Sequence, residues 1–152
     1  RRSVASTMIL TLPLIAALAG IAAGAILFAL NHLAPKFGAG RFVRDLDTVC
    51  ILGHDCSGRE AHLIGVLLHF VLSAFFGAAY AVAVGFGMVM GYAAGPLLMY
   101  AIILTVVMGG VVMPLQGHGL FGMKEDAWFP VDLLLTNVMW VALFGVLMNV
   151  LT

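Results

Sequence analysis

The sequence predicts an all-α membrane protein, a four-transmembrane-helix bundle that fills a single domain over residues 1–152. Three observations predict it. Residues 8–33, 58–86, 96–113 and 131–151 are long apolar runs, charged only near their ends. A membrane span needs about 20 predominantly apolar residues and tolerates about 17, and all four runs qualify. Hydrophobic residues make up 63% of the chain, charged residues 9%, and the mean hydropathy is +1.14, more apolar surface than a soluble domain of this size can use. Helix-ending or helix-opening residues (Pro35, Ser57, Pro96, Pro114 and Pro130) bound the runs. In hydrocarbon every backbone N–H and C=O must find its partner within the chain, so such runs are helices.

Charge narrows the function classes. Seven basic and seven acidic residues give zero net charge, with no basic patch for nucleic acid. The first run is too long for a signal-peptide core, and no small-residue cleavage site follows it. The chain opens on Arg1-Arg2 without a methionine, which leaves room for upstream residues.

Span 1 contains Gly20-Ile-Ala-Ala-Gly24, a step of small residues that lets another helix approach closely within the bundle. In loop 1, Phe42, Val43, Leu46, Val49 and Cys50 recur at helical spacing opposite Arg41, Arg44, Asp45, Asp47 and Thr48. This pattern predicts a short amphipathic interfacial helix ended by Gly53. Ser57-Gly-Arg-Glu60 reads as a capping box that starts span 2 near Gly58. Span 2 carries a stripe of small and polar residues: His62, Gly65, His69, Ser73, Gly77 and Tyr80. Pro96 opens span 3 and Pro114 is expected to end it. Loop 3 is glycine-rich and is expected to fold tightly back over the bundle, and Trp128-Phe129 sits at headgroup depth. Span 4 carries Asp132, Thr136, Asn137 and Trp140.

Spans 2 and 4 align without gaps. His69-Phe-Val-Leu-Ser-Ala-Phe-Phe-Gly77 lies on Asn137-Val-Met-Trp-Val-Ala-Leu-Phe-Gly145, so the chain reads as a possible tandem duplication of a two-helix hairpin. A parallel repeat of this kind puts His69 and Asn137 at equal depth.

Few residues carry chemistry. Gly117-His-Gly-Leu-Phe-Gly122 matches a dinucleotide fingerprint in letters alone, because no strand precedes it. Cys50, His54, Cys56 and His62 are a candidate metal set with donors suited to zinc or copper, although their spacing matches no common zinc-finger pattern. Cys50 and Cys56 are also a disulfide candidate. His69 is the sharpest single residue, since an ionisable group inside a span is a functional-site hypothesis by default. It either bonds across the bundle, with Asn137 or Thr136 as expected partners, or ligates a haem or chlorophyll, with Gly65 leaving room for the ring, or relays protons with Asp132. Asp132 itself either binds first-turn amides or pairs with His62 or Arg59.

Leu68-His69-Phe70 with Gly77 and Tyr80, then Val112-Met113-Pro114, Gly117-His118-Gly119-Leu120-Phe121 and Phe144-Gly145, resembles the pattern of an uncharacterised bacterial family of small four-span membrane proteins. The resemblance covers about residues 60–150. It implies the four-span fold and no particular activity. Asn137 stands where last spans of that pattern often carry histidine.

With no nucleophile–base pair, paired carboxylates or phosphate loop, the expected function is non-enzymatic: an accessory or scaffold subunit of a larger bacterial membrane complex. Its partners would be the lipid bilayer and other membrane subunits, and no cofactor is needed. The alternatives are a haem- or chlorophyll-binding subunit that uses His69 and an oligomeric channel or transporter. The expected location is the bacterial inner membrane. Arg1-Arg2 and the cysteine pair favour cytoplasmic termini, while a count of basic residues in the loops favours the reverse.

Overall fold

The computed structural model describes residues 2–33, 48–51 and 54–152, with side chains over 11–33, at 56 and over 58–152. Four helices organise it. They are α1 (Arg2–Leu33), α2 (Gly58–Gly85), α3 (Ala94–Leu115) and α4 (Phe129–Leu151). Each is long and apolar enough to cross a membrane, so the expected all-α four-helix membrane bundle is the observed architecture. The shortest, α3, has 22 residues, which at 1.5 Å per residue gives about 33 Å, a match to a hydrocarbon core of about 30 Å.

Close packing begins with the small residues of α1. A Cβ added at Gly20 would collide with the Ser73 carbonyl on α2, and one at Gly77 would collide with the Ala16 carbonyl on α1. The Gly20–Gly24 step therefore acts inside the bundle, bringing the α1 and α2 backbones together where dispersion contacts replace the missing hydrophobic drive between helices. Ala16, Ala19 and Ala23 pave the buried face of α1 and admit the bulky Trp140, Phe144 and Met148 of α4. The Trp140 and Phe144 rings stack nearly parallel, with centroids 5.2 Å apart. Helices α3 and α4 meet where Leu97 fills the space above Gly145.

Helices α2 and α3 join near loop 2, the connection over residues 86–93, through tyrosines. Tyr100 donates from its hydroxyl to the Phe76 carbonyl at 2.7 Å, and Tyr80 donates to the Gly91 carbonyl at 2.8 Å. The Tyr80 and Tyr100 rings lie 4.8 Å apart. Toward the other end of the molecule the two helices stand apart, and that gap becomes the candidate site.

The hairpins α1–α2 and α3–α4 repeat one register. His69 on α2 meets Gly24 on α1, and Gly77 meets Ala16. A step of 68 residues carries His69 to Asn137 and Gly77 to Gly145, while a step of 81 carries Gly24 to Thr105 and Ala16 to Leu97. Asn137 meets Thr105, and Gly145 meets Leu97. The α2 residues Ala61, Ser73, Gly77 and Tyr80 are buried, and so are their α4 counterparts Phe129, Val141, Gly145 and Met148. The register seen between spans 2 and 4 in the sequence thus extends to their contacts with α1 and α3.

Three local expectations change. In loop 1, the interfacial helix expected over 42–50 falls mostly outside the described residues, but its end is extended. Thr48–Ile51 (β1) pairs antiparallel with His54–Ser57 (β2). Thr48, Val49 and Ile51 are β-branched, which favours a pleated strand over a helix. Span 3 does not stop before Pro114. It runs as α-helix over Ala94–Val107, opens into a π-helical turn at Met108–Val112, and closes with Met113–Leu115. Proline lacks an N–H and crowds the carbonyl four residues back; the wider turn before it absorbs the clash and keeps the helix going. Span 4 starts at Phe129, ahead of Pro130, because proline is tolerated in a first turn.

Loop 3 does fold back on the bundle. The Phe121 ring lies against Gly109 in the π turn, and the Phe129 ring against Gly122. Phe121 holds φ of +52°, a left-handed conformation unusual for an aromatic residue, and Gly122 follows at +73°. Buried His118 bonds Glu125 through Nδ1 at 2.8 Å, and the Lys124 ammonium reaches the Gly117 carbonyl at 3.3 Å.

Candidate functional site

Polar side chains from α1, α2 and α4, and one from just past the end of α3, converge on one cleft, in the half of the bundle that adjoins loops 1 and 3. Its volume is about 250 Å³. Its polar wall includes Asn31 from α1, His62, His69 and Ser73 from α2, and Asp132, Thr136 and Asn137 from α4, with Gln116 just beyond α3. The apolar wall includes Phe28, Leu72, Phe76, Leu104, Met108 and Trp140. The first four residues of the α2 stripe, His62, Gly65, His69 and Ser73, and Asp132, Thr136 and Asn137 of α4 thus face a common space, the interface between the two hairpins, whereas Gly77 packs on Ala16 of α1 and Tyr80 bonds Gly91.

The hydrogen bonds around the cleft fix its polarity. His69 Nε2 lies 3.2 Å from the Gly24 carbonyl oxygen. A carbonyl only accepts, so Nε2 carries the proton and donates. The expected partners of His69, Asn137 and Thr136, are engaged elsewhere. The Gly20–Gly24 step brings the α1 backbone so close that a helix carbonyl is the nearest acceptor. Thr105 donates its hydroxyl proton to Ala101 at 2.8 Å, so its oxygen can only accept from Asn137 Nδ2, 3.0 Å away. Thr136 donates to the Asp132 carbonyl at 2.8 Å. Trp140 donates from Nε1 to the Gly20 carbonyl at 3.3 Å. Each is a helix-to-helix or within-helix bond of the kind that holds membrane bundles together.

The metal set is only partly visible. His62 stands at the cleft mouth, exposed, with its ring 6.3 Å from that of His32 on α1. Cys56 is buried beside Ala61. The side chains of Cys50 and His54 lie outside the described residues, and among the described residues no three His, Cys, Asp or Glu side chains come together as a metal site. The strand register pairs Cys56 with Val49 and Cys50 with Asp55, so the two cysteines do not sit directly opposite each other.

For a haem or chlorophyll at His69 the fit is poor on one side and open on the other. Nε2 is committed to Gly24, which leaves Nδ1 as the nitrogen available for a metal. Around Gly65, one turn away, nothing would meet an added Cβ within 4 Å. The cleft lies below the roughly 300–1,000 Å³ of typical small-molecule sites, which suits a compact group better than a tetrapyrrole.

Sequence reasoning missed Gln116 and Asn31 as cleft residues. Gln116 sits two residues past a proline expected to end the helix, and its approach to the cleft depends on the π turn. No family model, characterised protein or solved structure matches the chain.

Proposed function

We propose that this chain is a non-enzymatic integral membrane protein that holds a small amphiphile in its cleft, as an accessory subunit of a larger bacterial inner-membrane complex. The observation that carries the reading is the convergence of polar side chains from α1, α2 and α4, with Gln116 from just past α3, on one space at membrane depth. Burying polar groups in lipid is costly, and side chains of this kind inside spans typically mark ligand or ion pathways. The mixed wall, apolar toward Trp140 and Phe76 and polar toward His69 and Asn137, suits a molecule with one polar end. Lipid-facing residues such as Leu63, Leu67 and Phe75 leave broad apolar faces for the bilayer and for neighbouring subunits. The resemblance to small four-span bacterial proteins supports the cellular setting, and Arg1-Arg2 at the start of the first span supports cytoplasmic termini.

Native mass spectrometry of the protein, extracted in mild detergent, tests the reading. The wild type should retain a small lipophilic molecule, and Gly65→Trp, which fills the open side of the cleft, should lose it. Equal small-molecule content in both proteins would overturn the proposal.

A transporter is the second reading, favoured by the position of the cleft at a repeat interface, where membrane transporters place their substrates. Proteoliposome flux that depends on Asn137 would select it.

A further inference from the structure

From the hydrogen bonds that line the cleft, we infer that its occupant is a lipophile whose polar end donates hydrogen bonds, an alcohol or an amine. The inference rests on the amphiphile-binding reading above and specifies its chemistry. Away from His62 and Gln116 at the mouth, the donors at the depth of His69 and Asn137 are largely spent on the protein. His69 has given Nε2–H to Gly24, so the remaining nitrogen is Nδ1, a lone-pair acceptor in that tautomer, which has no partner among the described residues. Asn137 has turned its amide nitrogen toward Thr105, a direction fixed by the commitment of the Thr105 proton to Ala101. Its Oδ1 and the second Nδ2–H are left for the space it lines. Thr136 has given its proton to the Asp132 carbonyl and keeps oxygen lone pairs. Trp140, at the floor, has given its N–H to Gly20. At the depth of His69 and Asn137, two matched positions of the two hairpins, the wall is therefore rich in acceptors. Ser73 adds a hydroxyl that can donate or accept. A ketone, ester or ether head would find few donors here, while an O–H or N–H head would find several acceptors. Toward Leu72, Phe76 and Leu104 the wall takes the apolar body.

The test uses the fluorescence of Trp140. The chain has two tryptophans, and Trp128 is exposed in loop 3, so Trp128→Phe leaves Trp140 as the sole reporter. The full-length Trp128→Phe protein in detergent is titrated with ω-bromo-octanol, ω-bromo-octylamine and the methyl ether of ω-bromo-octanol, each a bromine quencher, compared at equal mole fraction in the micelle. The alcohol or the amine should reach half-quenching at about three- to ten-fold lower mole fraction than the ether, the worth of one net hydrogen bond. Whichever of the two leads identifies the head group. His69→Phe should erase the gap. His69→Gln, whose amide can donate to Gly24 and still present an oxygen, should keep it. If the ether quenches as well as both donors, the donor inference falls while the cleft still binds amphiphiles. If no probe quenches Trp140, both readings fall together.

Discussion

Three tyrosines separate bonded from unbonded hydroxyls at the loop 2 end. Tyr80 and Tyr100 each donate to a backbone carbonyl, whereas the buried Tyr92 hydroxyl has no partner among the described residues. Burial also pushes the Tyr92 phenol above its ordinary value near 10. Removing a bonded hydroxyl forfeits an intramembrane hydrogen bond, worth on average about 0.6 kcal/mol and at most about 2. Removing an unbonded one relieves a desolvation cost of about 1–3 kcal/mol. Thermal melts in detergent should therefore show Tyr80→Phe and Tyr100→Phe below the wild type and Tyr92→Phe level with it or above. His69→Leu belongs with the first pair, since it loses the bond to Gly24 and should lower the melting temperature modestly without unfolding the bundle. At this scale the position of His69 could be read from the sequence, because an ionisable residue deep in an apolar run has few places to go. Its partner could not be read. The acceptor is a backbone carbonyl, which no residue letter encodes, and it is reachable only because Gly20 and Gly24 remove side chains from the approach.

Glycines within the helices divide by what surrounds them. Gly20 and Gly77 sit where an added Cβ would strike a rigid backbone carbonyl. At Gly145 the added Cβ would meet the end of the Leu97 side chain, which can move, and at Gly85 it would meet nothing. Overpacking of a tight interface costs about 1–3 kcal/mol, and replacing helical glycine with alanine gains about 1 kcal/mol where there is room. Denaturation in mixed micelles should rank Gly20→Ala and Gly77→Ala as most destabilised, Gly145→Ala as intermediate, and Gly85→Ala as equal to or above the wild type. Equal effects at all four positions would contradict the close approach of α1 and α2. Apolar length makes helices of this kind legible in sequence: α2, α3 and α4 begin and end within two residues of the predicted bounds, and α1 ends at the predicted Leu33 but begins six residues early. Pro114 was harder, because a proline ends a helix in most settings and continues one where a π turn widens the backbone before it. The strand at Thr48–Ile51 was harder still. Four residues show helical or extended periodicity equally well, and the pairing with His54–Ser57 decides between them.

At the scale of the whole molecule, the repeated hairpin explains why the cleft exists. Two hairpins with the same internal register pack firmly through α1 and α4 and are tied near loop 2 by tyrosines. The polar residues at matched positions are left facing each other where the hairpins part. The sequence carried this pattern in the alignment of spans 2 and 4, but the matching register of α1 and α3 is hidden, since Gly24 and Thr105 share no chemistry beyond being small enough to be approached. Two spans per unit also mean that both hairpins run in the same direction, so the turn within each lies at one end of the bundle. Asn31, Ala61, Gln116 and Phe129, the helix ends beside loops 1 and 3, all line the cleft and confirm that these loops share an end. Single cysteines placed at exposed Met90 in loop 2 and exposed Met123 in loop 3, in a background with Cys50 and Cys56 replaced by serine, report the arrangement in a membrane. A membrane-impermeant maleimide applied to intact spheroplasts should label one and spare the other, and permeabilised cells should show both labelled. With cytoplasmic termini, Met123→Cys is the one labelled from outside. Labelling of Met90→Cys alone would reverse the orientation and keep the fold, whereas labelling of both in intact spheroplasts would break the even-span topology on which the shared cleft depends.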